Sequence, residues 1–78
     1  MSELPRLRWK CRRGMKELDL LLVGYLDTNY PNAAEAEQGA FRDLLELQDP
    51  VLFDYVTGRD KPASEDQRRV IDALRRTP

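Results

Sequence analysis

The sequence predicts an all-α protein, a compact bundle of about five short helices, on the basis of three observations. Apolar residues recur at spacings of three and four, no stretch alternates between apolar and polar residues over the length of a strand, and helix-capping residues separate the segments. A chain of 78 residues can build one modest core. We therefore assign residues 1–78 to a single helical domain.

Two helices are predicted on either side of Gly14. The first runs near residues 3–12, where Pro5 is compatible with the first turn only. Its apolar face carries Leu4, Leu7 and Cys11. The second runs near residues 15–27, and a helical spacing again places its apolar residues on one face. That face carries Met15, Leu18, Leu22, Tyr25 and Leu26.

A third helix is predicted near residues 33–47, after a loop at residues 29–31. Asn32 followed by Glu35 resembles a capping box, in which the two side chains satisfy backbone N–H groups at a helix start. The residues expected to face inward are Ala36, Ala40, Phe41, Leu44 and Leu45.

The last two helices are predicted near residues 50–57 and 65–76. Asp49-Pro50 starts the shorter one, as an N-cap followed by proline, and Gly58 is a favoured residue to end it. Its inward residues are Val51, Leu52, Tyr55 and Val56. Ser64-Glu65-Asp66-Gln67 opens the last helix as a second capping box. The expected core is Leu7, Leu18, Leu22, Phe41, Leu44, Leu45, Val56, Val70, Ile71 and Leu74.

Composition argues against several classes of function. With one cysteine and no histidine, the chain lacks an intrachain disulfide and is poorly equipped for zinc binding or histidine-based catalysis. Its carboxylates fall at caps or on solvated helix faces, with no second catalytic group spaced to pair with them, so we expect no enzyme. No apolar run approaches a membrane span, and a lone thiol without a secretion signal fits a reducing compartment. We expect a cytoplasmic protein with no direct membrane insertion.

The charge is unevenly distributed along the chain. Residues 6–16 carry six cations, whereas residues 17–54 carry nine acidic residues and only Arg42 as a cation. Such asymmetry indicates a bipolar surface and a charged partner. A nucleic-acid-binding module is one interpretation of the basic segment, but the pI of about 5.4 and the acidic middle argue against it.

The segment from Trp9 to Asp19 is the main candidate for function, and its residues also allow purely structural interpretations. In the structural interpretation, Gly14 simply separates two helices, since glycine accepts a positive φ. Glu17 would then serve as a helix cap or as the weak i, i+4 partner of Arg13. On a helical wheel, Trp9 groups with Arg6 and Arg13, where it either stacks on a guanidinium group or forms a binding hot spot. Cys11 lies on the apolar face and is interpreted as a buried hydrophobe.

An ordered set of motifs resembles one known family. Residues 13–19 read Arg-Gly-Met-Lys-Glu-Leu-Asp, and Trp9 precedes Cys-Arg-Arg at their start. Further along, Leu44-Leu45-Glu46, Asp49-Pro50-x-Leu52-Phe53 and Lys61-Pro62 follow in matching order. The Arg-Gly-x-x-Glu signature in this setting resembles the small FAD assembly factors of succinate dehydrogenase, found in bacteria and mitochondria. The resemblance covers roughly residues 6 to 74.

The resemblance implies a five-helix bacterial assembly factor that binds the flavoprotein subunit of succinate dehydrogenase and favours covalent attachment of FAD to a histidine of that subunit. It leaves open whether fumarate reductase is a second client. The factor itself would bind no FAD stably, and the chain has no Gly-x-Gly-x-x-Gly fingerprint for a flavin. An antitoxin-like protein opposing a membrane toxin is a second interpretation within the same family. The partner-binding residues carried over by position are Arg13, Gly14 and Glu17, flanked by Asp19, Trp9 and Arg12.

A physical role accompanies each of the three central residues. Gly14 would let the backbone of the partner approach closely. The Arg13 guanidinium would offer a fork of donors to carboxylate or carbonyl groups of the subunit. The Glu17 carboxylate, if it does not cap a helix, would accept a hydrogen bond from the partner.

Overall fold

A computed structural model describes residues 3–76, and this part of the chain forms five α-helices in the predicted order, with no strand. The helices are α1 (Glu3–Lys10), α2 (Lys16–Thr28), α3 (Glu35–Leu44), α4 (Asp49–Thr57) and α5 (Glu65–Arg76). A single 3₁₀ turn, Tyr30–Asn32, occupies the predicted loop between α2 and α3. The all-α prediction is therefore confirmed.

The core is centred on α5, which packs against α2, α3 and α4, while α1 packs against α2. Phe41 is fully buried at its middle, with its ring 4.7 Å from that of Tyr25 and 5.5 Å from that of Tyr30. Nine of the ten predicted core residues are buried, and Val56 is only partly buried at the edge of the core. Tyr30 is a core residue that the apolar periodicity missed, because it lies between two helices.

The sequence placed three further residues on inward faces where the structure leaves them exposed. Leu4 is 47% exposed, Val51 is 40% exposed, and Ala36 is also exposed. Each of them lies in the first turn of its helix. Periodicity identifies the apolar face of a helix but not the turn at which a neighbouring helix begins to cover it.

Two of the predicted helix starts are wrong in detail. Asn32 lies in the 3₁₀ turn, and Ala34 occupies the N-cap position of α3 without a side-chain hydrogen bond. Gln48, rather than Asp49, occupies the N-cap position of α4. Asp49 is the first residue of that helix, and its carboxylate instead binds the Arg13 guanidinium at 3.2 Å.

The structure confirms the predicted end of α4 and the predicted start of α5. The Ser64 hydroxyl accepts a hydrogen bond of 3.3 Å from the backbone N–H of Gln67, which is the first bond of the expected capping box. Gly58 ends α4 with φ +86°. The backbone N–H of Arg59 then donates to the Asp54 carbonyl at 2.9 Å, as in a Schellman motif.

Ionic contacts tie the short helix α1 to the rest of the bundle. Arg8 pairs with Asp27 of α2 at 2.5 Å. Lys10 pairs with Glu46 beyond α3, also at 2.5 Å. These cations, through hydrogen bonds and charge, lower the pKa of the Asp27 and Glu46 carboxyls. Within residues 3–76, no helix has the length and apolar character needed to cross a membrane.

Candidate functional site

The candidate site is the turn between α1 and α2, at the centre of which lies Gly14. Its φ of +81° falls in the left-handed region, where a side chain would add strain. A Cβ atom built at this position would have no heavy atom within 4 Å. Gly14 is thus needed for the backbone conformation, and the space above it is open to another molecule.

Asp19 shapes this turn from the first part of α2. One oxygen of its carboxylate accepts a hydrogen bond of 2.8 Å from the backbone N–H of Arg13. The other oxygen accepts a longer bond of 3.3 Å from the N–H of Gly14. Both carboxylate oxygens of Asp19 therefore bind the backbone of the turn itself. The partner contact that the resemblance implies for this residue stays a prediction.

The Arg13 side chain is directed into the protein and is only 12% exposed. One terminal nitrogen donates to the Leu47 carbonyl at 2.9 Å and to Asp49 at 3.2 Å, and the other donates to the Leu45 carbonyl. Its Nε is buried and has no partner within the described part of the chain. The two terminal guanidinium nitrogens of Arg13, which were predicted to bind the partner, are therefore occupied within the protein.

Residues 45–49 form a corner between α3 and α4, and the Arg13 guanidinium binds this corner. The sequence did not predict this contact. After α3 ends, Glu46 and Leu47 continue in bonds from N–H groups to carbonyls three residues earlier. The Asp49-Pro50 pair is itself a local helix-start signal. No local pattern signals a contact between residues that lie more than 30 positions apart.

Trp9 of α1 and Glu17 of α2 lie on either side of the turn and extend into solvent. Glu17 is exposed, and its carboxylate has no side-chain or backbone partner within residues 3–76, so neither a capping bond nor a pair with Arg13 forms there. Trp9 is 71% exposed. The guanidinium carbon of Arg12 lies 5.7 Å from the centre of the Trp9 ring, in a cation–π contact. The predicted stacking partners were Arg6 and Arg13, so the neighbour is a different arginine.

We refer to Trp9, Arg12, Gly14 and Glu17 as the turn surface. A shallow groove of about 300 Å³ runs beside it, between the end of α1 and residues 45–47. The turn surface combines an exposed aromatic ring, a guanidinium group, open backbone and a carboxylate, while Arg13 and Asp19 hold the backbone beneath it. Such a combination is suited to binding a protein surface.

Cys11 lies directly before this turn but is fully buried. Burial raises the pKa of its thiol to about 11, which leaves little of the nucleophilic thiolate at neutral pH. The interpretation of Cys11 as a buried hydrophobe is confirmed. Among the described residues, no group of three or more His, Cys, Asp or Glu side chains is arranged to hold a metal ion.

The basic segment at the start of the chain is partly neutralised in the fold. Three of its six cations form ion pairs with the acidic middle of the chain, namely Arg8 with Asp27, Lys10 with Glu46 and Arg13 with Asp49. A binding site for a nucleic-acid backbone requires a dominant basic face. The fold thus weakens the nucleic-acid interpretation of this segment.

Comparison with known proteins identifies relatives over most of the chain. Residues 5–78 match the model of a family described as the flavinator of succinate dehydrogenase. The chain is similar to the FAD assembly factor SdhE of Pseudomonas aeruginosa, with 43% identity over 70 residues, covering 90% of this chain and 83% of the relative. It is 47% identical to SdhE of Methylococcus capsulatus over 62 residues, covering 80% and 75% of the two chains. No solved structure matches it.

Proposed function

Because the chain belongs to the family described as the flavinator of succinate dehydrogenase, we propose that it acts as an FAD assembly factor for that enzyme. Its partner is the flavoprotein subunit, on which FAD becomes covalently attached. The factor is a binding protein rather than an enzyme, and the flavin stays with the subunit. The relatives named as FAD assembly factors, with 36–47% identity over most of the chain, support this proposal.

The exposure of Trp9 is the single observation in the fold that best supports a protein partner. A tryptophan ring that is 71% exposed leaves a large apolar area in water, although the same chain buries its other large aromatic rings more completely. Tryptophan and arginine are enriched among residues that dominate binding energy. The Arg12 contact at 5.7 Å restrains the ring and thereby reduces the entropy lost on binding.

The turn surface supports a mechanism based on selective binding. A factor that binds one arrangement of the flavoprotein subunit more tightly than another increases the population of that arrangement. Gly14 allows the subunit to approach the backbone, and Glu17 offers a carboxylate to a donor on the subunit. Arg13 and Asp19 act beneath this surface and keep its shape. Attachment of the flavin is then the chemistry of the flavin and the subunit that holds it.

The experiment compares Gly14→Arg with Gly58→Arg in a strain that lacks the factor. Both glycines have φ above +80°, so both variants incur backbone strain on the order of 1–2 kcal/mol. A Cβ atom at Gly58 would also lie 3.2 Å from the Arg75 guanidinium, so this control is the more strained of the two variants. Only Gly14→Arg places a long side chain on the turn surface. The measurement is covalent flavin fluorescence of the denatured flavoprotein subunit, together with thermal melts of each purified variant.

We expect the unmodified protein and Gly58→Arg to restore flavin attachment, and Gly14→Arg to remain folded without restoring it. If the unmodified protein itself failed to restore attachment, the proposed function would be wrong. If a folded Gly14→Arg restored it fully, the partner would bind elsewhere on the factor. A separate capture experiment, with the factor as bait in a bacterial lysate, tests the antitoxin interpretation. Recovery of a membrane toxin without the flavoprotein subunit would favour that interpretation.

A further inference from the structure

The Arg13 side chain joins three parts of the fold at the α3–α4 corner. It leaves the α1–α2 turn, binds the carbonyls of Leu45 and Leu47 beyond the end of α3, and pairs with Asp49 at the start of α4. Carbonyl groups at the end of a helix lack helical partners and need other donors. The guanidinium supplies those donors and so fixes the distance between the turn and the corner.

Asp49 has a specific place in this arrangement. It is the one carboxylate that pairs with Arg13 in the described part of the chain, and the guanidinium it neutralises is only 12% exposed. A largely buried cation without a counter-charge is costly, and neutral carbonyls compensate for it incompletely. The direction of the Arg13 side chain therefore depends on a residue that lies 36 positions further along the chain.

The turn is held from its other side by Asp19, which binds the backbone N–H groups of Arg13 and Gly14. Two carboxylates thus clamp the same turn, one through the backbone and one through the Arg13 side chain. Loss of the Asp49 contact would leave the backbone clamp in place but would weaken the side-chain clamp, because only the neutral carbonyls of Leu45 and Leu47 would then bind the guanidinium. Gly14 would then sample orientations that the folded protein otherwise excludes.

We infer that Asp49 is a positioning residue for the partner-binding turn, an inference that rests on the proposed function. It acts through Arg13 and sets the orientation of Gly14 rather than touching the subunit. A surface that is ordered before binding loses less entropy when it binds. Loss of Asp49 should therefore raise the concentration of factor needed for flavin attachment and leave the rate at saturation unchanged.

The test compares Asp49→Ala with Asp54→Ala, a matched control on the same helix whose carboxylate has no partner within residues 3–76. The first measurement is hydrogen exchange of the Gly14 amide in the isolated factor. The second is the rate of flavin attachment to purified apo-flavoprotein subunit supplied with FAD, at increasing concentrations of factor. Asp49→Asn, which keeps an oxygen acceptor near Arg13, serves as a second and milder variant.

We expect Asp49→Ala to accelerate Gly14 exchange and to raise the half-saturating concentration by about tenfold, the size expected for losing one charged hydrogen bond. Asp49→Asn should change both quantities in the same direction by less, and Asp54→Ala should change neither. The inference is overturned if Gly14 exchange is unchanged, or if it rises only in step with every other amide. Failure of the unmodified factor to promote attachment would overturn the proposed function, whereas Gly14 exchange would still report whether Asp49 positions the turn.

Discussion

The Asp19 carboxylate accepts a hydrogen bond of 2.8 Å from the backbone N–H of Arg13, six residues earlier in the chain. This bond folds the end of the α1 segment back onto the start of α2. The turn that carries Gly14 is therefore a shaped element of the fold rather than a loose connection. The consequences for stability and for binding can be separated by comparing residues beneath the turn surface with residues on it.

Asp19→Ala should lower the free energy of unfolding by about 1–3 kcal/mol, because two backbone N–H groups lose their acceptor. Glu17→Ala, two residues away on the exposed side, should change it by no more than about 0.5 kcal/mol. Urea denaturation of both variants measures the difference. Equal stability of the two variants would mean that the Asp19 hydrogen bonds contribute little to the folded state.

Arg13→Ala should also destabilise the protein, by roughly 1–3 kcal/mol, because it leaves the Leu45 and Leu47 carbonyls without their donor. The sequence alone left two interpretations of Arg13 open, a structural one and a partner-binding one, and this outcome would support a structural contribution. Arg12→Ala is the control, since its guanidinium lies over an exposed ring. Thermal melts that leave Arg13→Ala and Arg12→Ala indistinguishable would contradict this prediction.

Phe41→Ala should cost about 3–5 kcal/mol, since the ring is fully buried and packs against two tyrosine rings. That loss approaches the entire stability of many small domains, about 5 kcal/mol at the lower end. Leu20→Ala, at a position that is 64% exposed, should change stability by at most about 0.5 kcal/mol. Near-native melting of Phe41→Ala would show that the centre of the core is elsewhere.

Trp9→Ala should weaken capture of the flavoprotein subunit by at least about tenfold, as expected for a hot-spot residue, with little change in stability. Leu20→Ala is again the control, because it removes another exposed apolar side chain outside the turn surface. Titration calorimetry with the purified subunit measures both affinities. A larger loss of affinity for Leu20→Ala than for Trp9→Ala would show that the subunit binds the exposed face of α2 rather than the turn surface.

Low pH should weaken the two ion pairs, Arg8 with Asp27 and Lys10 with Glu46, that hold α1 against the rest of the bundle. The pKa of Asp27 and of Glu46 is lowered in the folded protein, below ordinary values of 3.8 and 4.5, by the hydrogen bonds and charges of Arg8 and Lys10. A depressed carboxyl pKa contributes stability that is present above the ordinary pKa and is lost as the pH falls through the folded value. Stability should thus decline below a pH of about 4.5, and the double variant Arg8→Gln, Lys10→Gln should show a shallower decline. Identical pH profiles of the two proteins would contradict this assignment.

The order and type of the helices were predictable from the sequence because their signals are local. Helical periodicity, the Gly58 helix end and the Ser64 start each depend on residues within one or two turns of the chain, and the structure confirms them. The ordered motifs around Arg-Gly-x-x-Glu were likewise sufficient to indicate the family, which the comparisons confirm. The positive φ at Gly14 is compatible with the structural interpretation of this glycine as a residue that separates two helices, but the sequence alone did not predict it.

Only the tertiary structure decided where the side chain of each motif residue lies and which atoms of the chain it contacts. The sequence placed Arg13 and Glu17 together as binding groups, whereas the fold buries the Arg13 guanidinium against residues 45–49 and leaves Glu17 in solvent. The same limit applies to Leu4, Ala36 and Val51, whose helical faces were inferred without knowledge of where neighbouring helices end. Periodicity describes the direction of a side chain from its own helix axis. The atoms that it meets there belong to distant parts of the chain, and their positions depend on how all five helices pack together.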